Sequence, residues 1–219
     1  MRITNLAILL FISLHASAQL PVRLEPHHHN VFENERVRAL DVFFGPGDTS
    51  FYHLHATPSI FIMLSNTQSG SQLYGQQPES GPIIAGDISY DELKTPRYHR
   101  VWNSDTSWFQ VIDIELPGKP SGATPSSLAG AGIVSLFNEA QANGYRLEPK
   151  AGDKITIPAL ATGYFLVSLG EAEVRISSPD GEQHRFMKAG HYQWLPGKGM
   201  TTLTNVGAAP MGFGLIQLK

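Results

Sequence analysis

Two histidines two residues apart, His53 and His55, are the residues best placed to do chemistry. In a strand, side chains at i and i+2 point to one face, so both imidazoles can converge on one ion. Phe51 shares that face, while Tyr52 and Leu54 take the other. Gly47, separated from His53 by five residues, marks the turn that opens the strand.

The chain has no cysteine, which excludes disulfides, zinc–thiolate sites and cysteine nucleophiles. A bound metal must therefore rest on imidazole, carboxylate or water. Gly-x-Ser-x-Gly, phosphate-loop and dinucleotide-binding patterns are absent. A net charge of −3 without a Lys/Arg cluster argues against nucleic-acid or anionic-membrane partners.

The elements that would position the histidines are strands. Hydrophobic residues make up 42% and charged ones 16%, enough for a packed core. The 21 Gly and 15 Pro favour turns and short strands over long helices. Two β-rich segments, about 30–116 and 145–218, flank a Pro/Gly/Ser-rich connector at 117–127. Residues 128–143 carry Ile133, Leu136 and Phe137 at helical spacing, which predicts one short helix. Ile60–Leu64 is a continuous apolar run, as in a strand buried on both faces. Ser178-Pro179-Asp180-Gly181 is a hairpin signal.

The two segments repeat each other. Gly47-Asp48 precedes His53-Leu54-His55-Ala56-Thr57 as Gly152-Asp153 precedes Pro158-Ala159-Leu160-Ala161-Thr162. IFIML at 60–64 is matched by FLVSL at 165–169, and Asn103 by Asn205. This is an internal duplication of an all-β unit.

At this point the sequence resembles the cupin superfamily. Its first motif, a Gly followed after five residues by His-x-His, matches Gly47, His53 and His55. Its second, a His, three residues and then Asn, matches His99 and Asn103. Segments 32–38 (FENERVR) and 98–103 (YHRVWN) read like small bacterial cupins. The resemblance implies an all-β protein of two cupin-type jelly-roll barrels: a metal-binding lobe at 19–116, a linker at 117–130 with the helix, and a second lobe at 131–219. It implies one divalent metal on His53, His55 and His99. Fe(II) is favoured, and Mn, Ni or Zn also suit imidazole ligands.

There are departures. The acid of the first motif falls at Ser59 or Ile60, neither a carboxylate, so its place goes to water, substrate or a carboxylate such as Asp91 or Glu92. Pro158, Leu160 and Thr201 stand where the second lobe would need histidines, so no metal is expected there.

The remaining candidates read more plainly. Consecutive strand residues alternate faces, so His27-His28-His29 cannot share one site; a solvent-facing N-terminal arm is expected. His184 and His191 are expected at the surface or hydrogen-bonded, and Asn103 in a turn. Phe51, Phe61 and Tyr98 are candidates for substrate contact. The tryptophans are expected in the core or rim.

Arg2, the apolar run Leu6–Leu14 and Ala16-Ser17-Ala18 read as a signal peptide at 1–18, which places the mature chain outside the cytoplasm, secreted or periplasmic. The expected function is that of an exported metal-binding cupin. The first reading is a three-His dioxygenase of a small organic molecule. A metal-dependent isomerase or lyase and a non-catalytic sugar or small-molecule receptor are the alternatives. A homodimer is compatible with this; a membrane partner is not expected after cleavage.

Overall fold

The computed structural model describes residues 19–122 and 125–219; the proposed signal peptide lies outside the described residues. The first lobe contains β1 (Leu20–Pro21), β2 (His28–Glu33), β3 (Arg38–Phe44), β4 (His53–His55), β5 (Ser59–Met63), β6 (Thr67–Leu73), β7 (Glu79–Ile83), β8 (Ile88–Asp91), β9 (Arg97–Asn103) and β10 (Phe109–Glu115). The second contains β11 (Ile133–Asn138), β12 (Ala142–Leu147), β13 (Lys154–Ile157), β14 (Tyr164–Ser168), β15 (Ala172–Ser178), β16 (Gly181–Met187), β17 (Tyr192–Leu195), β18 (Thr201–Asn205) and β19 (Phe213–Leu218).

Each lobe is a pair of sheets in jelly-roll order. In the first lobe β1-β4-β9-β6-β7 faces β2-β3-β10-β5-β8. In the second, β13-β18-β15-β16 and β11-β12-β19-β14-β17 repeat that order without a counterpart of β1. The duplication read from sequence is thus a duplication of topology.

Its details are repeated as well. Gly47 and Gly152 sit at φ +80° and +81°, where a side chain would be strained. Their amides donate to the carbonyls of Asn103 and Asn205 at 3.1 and 3.0 Å. The Asn103 side chain donates to the carbonyls of Phe44, Gly45 and Ser107. Asn205 donates to those of Pro149 and Ala209. Each asparagine therefore ties a loop end to the last hairpin of its lobe, beyond a simple turn role.

The apolar runs are explained by a second buried face. Along β5, Ile60 and Ile62 point to a core shared by both lobes, while Phe61 and Met63 point into the first lobe. In β14, Phe165 and Val167 join the shared core, and Tyr164 and Leu166 fill the second lobe. Ile112, Ile114, Ile216 and Leu218 complete the shared layer. Phe32 stacks on Trp194 across it, at 5.7 Å between ring centroids.

The expected helix is a strand. Ile133–Asn138 forms β11, antiparallel to β12, with a register shift between Ser135 and Phe137. The bulge inserts an extra residue, so Leu136 and Phe137 break the period of two and mimic helical spacing. Gly130 and Gly132, both at positive φ, also oppose a helix across 128–143. The sole helical turn among the described residues is a 3₁₀ turn at Val22–Leu24. The 178–181 hairpin forms as expected, with Ser178 opposite Gly181.

Candidate metal centre

β4 turns His53 and His55 inward, and antiparallel pairing with β9 sets His99 opposite His53. All three are buried. Ring centroids lie 5.1 Å apart for His53 and His55, 4.7 Å for His53 and His99, and 4.9 Å for His55 and His99.

A fourth imidazole joins them. His28 is buried rather than part of a solvent-facing arm, and its ring centroid is 4.6 Å from that of His53. His28, His53 and His55 bring ligand atoms within 4.8 Å of one another and could hold a metal ion. The alternation argument still holds, since one of three consecutive histidines faces inward. His27 instead stacks on Phe44 at 4.4 Å, and His29 is exposed. What the sequence does not reveal is that residues 28–33 pair with β3, with His28 opposite Val42.

Hydrogen bonds fix which nitrogens are free. His53 Nδ1 donates to the Phe51 carbonyl at 2.9 Å, leaving Nε2 with its lone pair. That Nε2, His99 Nε2 and His55 Nδ1 are buried without hydrogen-bond partners. Burial, together with the positive potential of His28, lowers the His53 imidazole to about 4. Burial and then His53 lower His99 to about 3. Burial, then His99 and His53, push His55 lower still. At neutral pH the three are neutral, the state that coordinates metals. Neutral imidazoles with orphaned nitrogens, clustered in one buried place, fit a divalent ion.

Asp113 on β10 is fully buried, with neither oxygen in a hydrogen bond. Burial, reinforced by Glu115, pushes its carboxyl up to about 8, so it is mostly protonated at pH 7. Its Oδ2 lies 3.6 Å from His55 Nδ1, beyond hydrogen-bond length.

These groups border a cavity of about 540 Å³. Its walls are largely apolar, including Val42, Phe44, Phe61, Met63, Phe109 and Val111, with Arg97 as the cationic member. Of the substrate-contact candidates, Phe61 lines it. Phe51 is 67% exposed and outside it. Tyr98 packs among Tyr52 and Tyr74 instead, away from the cavity. Asp91 and Glu92 do not replace the absent acid: Asp91 is ion-paired with Arg97, and Glu92 is exposed beside Lys94. Trp102 lies over Gly70, Trp108 is exposed on Phe43, and Trp194 belongs to the contact between lobes. His184 and His191 are exposed.

No protein-family model matches the chain, and no curated protein sequence matches it. Solved structures do. YhhW from Escherichia coli is 13% identical, with 90% of this chain and 89% of that one covered at a TM-score of 0.60. A cupin 2 conserved barrel domain protein from Leptotrichia buccalis is 12% identical, with 87% and 88% covered at 0.57. A salicylate 1,2-dioxygenase from Pseudaminobacter salicylatoxidans is 9% identical, with 84% and 71% covered at 0.58.

Proposed function

Starting from a two-lobed cupin fold, we propose that the chain is a metal-dependent dioxygenase of a small organic molecule, with His53, His55 and His99 holding the metal. The observation that carries this reading is three neutral, buried imidazoles with unpartnered nitrogens at the wall of an apolar cavity. A divalent ion there, Fe(II) by preference, would supply Lewis acidity and a site for O₂ beside the substrate. The similarity of fold to a salicylate dioxygenase supports the choice.

The chain's own residues do the rest. Phe61, Met63, Phe109 and Val111 exclude water and seat an apolar body. Arg97, paired with Asp91, lines the cavity on its polar side. Asp113 holds a proton beside His55.

That proton favours a second reading. A buried, protonated carboxyl suits acid–base chemistry in an isomerase or lyase. Turnover in the absence of O₂ would select it. We also propose export, on the strength of Arg2, Leu6–Leu14 and Ala16-Ser17-Ala18.

The test is metal analysis and O₂ uptake of tag-free protein with Fe(II) and a panel of small aromatic and carboxylic compounds. We expect one metal per chain and Fe(II)-dependent O₂ consumption that His99→Ala abolishes. Protein that takes up no metal would overturn the reading.

A further inference from the structure

We propose that His28 is the fourth ligand of the metal centre and that Glu25 is the residue that positions it. The N-terminal segment would thereby complete a site that lacks the acid at Ser59 or Ile60. This inference rests on the metal reading above and deepens it.

The first support is the placement of Glu25. Its side chain is inaccessible to solvent, and its carboxylate is held by four contacts. Oε2 accepts from the His27 amide at 2.8 Å and from His28 Nδ1 at 2.6 Å. Oε1 accepts from the Phe51 amide at 3.2 Å and meets His27 Nδ1 at 3.2 Å.

Oε2 also accepts from the His27 amide, which can only donate, so at 2.6 Å His28 Nδ1 is the donor to it and Nε2 is the nitrogen left for a metal. Carboxylate-to-imidazole contacts of this kind set the tautomer and ring orientation of metal-bound histidines and raise their basicity. His28 borders the cavity and shares the 4.8 Å ligand group with His53 and His55.

The second support is charge. An imidazole in place of an acid would leave a divalent ion among neutral ligands in a buried site. Glu25 returns one negative charge a single residue away from the ion, where burial keeps it effective.

The third is the anchoring of the segment. β1 pairs in parallel with β4, with Leu20 opposite His53, and the Glu25 bond to the Phe51 amide lies just ahead of that strand. The second lobe offers the contrast. His28 is opposite Val42 on β3 as Ile133 is opposite Leu147 on β12. At the matching place the other lobe puts an isoleucine that packs into its core.

The experiment is titration of the tag-free mature chain with Co(II) and Zn(II), reading affinity and the Co(II) visible spectrum. His28→Ala and Glu25→Ala should weaken both metals about 10- to 100-fold and alter the Co(II) band intensity. Glu25→Gln, which keeps one acceptor oxygen, should fall between them and the parent. His29→Ala should behave as the parent, and His53→Ala should bind neither metal. If His28→Ala lowers the apo melting temperature, His28→Gln takes its place in the comparison. Parent affinity and spectrum in the His28 variants, with binding lost in His53→Ala, would overturn this inference alone. A parent protein that binds neither metal would overturn the metal reading and this one with it.

Discussion

The two lobes share a backbone and differ in what they put inside it. The Gly47–Asn103 and Gly152–Asn205 pairs make the same turn with the same bonds. Strand registers then match the interiors residue by residue. His53 is opposite His99 as Ile157 is opposite Thr201, so the buried counterpart of His53 is Ile157, and Pro158, which the sequence repeat put there, is exposed. Asp113 is opposite Phe61 and Leu40; Leu215 is opposite Leu166 and Tyr145. The polar acid of one lobe is thus an apolar leucine in the other. Tyr145, Tyr164, Leu166 and Phe213 fill the second interior, and the Tyr145 hydroxyl meets Gln217 at 3.1 Å. The first interior keeps a cavity. The jelly-roll frame is therefore indifferent to whether its interior is packed or hollow.

The sharpest way to break the comparison is to remove a clustered histidine from one lobe and its counterpart from the other, which tests the proposed metal site. His99→Ala should reduce bound metal from one per chain to near zero, while Thr201→Ala leaves it unchanged, as read by elemental analysis. Next is the contrast in packing. Leu166→Ala should cost about 2–5 kcal/mol in denaturant unfolding, because it empties a closed core. Phe61→Ala, at the wall of an existing cavity, should cost roughly 1 kcal/mol.

The shared frame predicts equality instead. Asn103→Ala and Asn205→Ala each strip donors from buried carbonyls and should each cost about 2–3 kcal/mol by urea denaturation. Unequal losses beyond that spread would show that the two turns are not equivalent. The smallest effect concerns acid. In metal-free protein His53 and His99 bind protons in the folded state only near 4 and 3. Unfolded imidazoles bind them from about 6.5, so the unfolded chain gains protons first. Stability should be full above that value and decline as pH falls toward 4. A His53→Leu, His99→Leu chain should decline less over the same range, measured by melting temperature.

Much of this was legible in the sequence because the signals were local. His53 and His55 announce themselves by strand parity, and the all-β duplication by repeated Gly-Asp and Asn markers. Ile60–Leu64 correctly foretells a strand buried on both faces. Other features depend on pairing across long separations. The bulge in β11 disguises a strand as a helix. His28 looks like a member of a surface run until β2 is paired with β3, and Glu25 has no motif at all. Tyr98 and Phe51 illustrate the converse, since proximity in sequence to the clustered histidines does not place a side chain in the cavity.

The shared layer of Ile60, Ile62, Ile112, Ile114, Phe165, Val167 and Ile216 has one more consequence. Each lobe presents to the other a face that water would otherwise wet, much as subunits of an obligate dimer do. Cutting the chain in the linker would leave two halves with adhesive surfaces rather than two soluble domains. Heating should therefore melt the molecule in one step, and the packed lobe works as the permanent buttress of the hollow one.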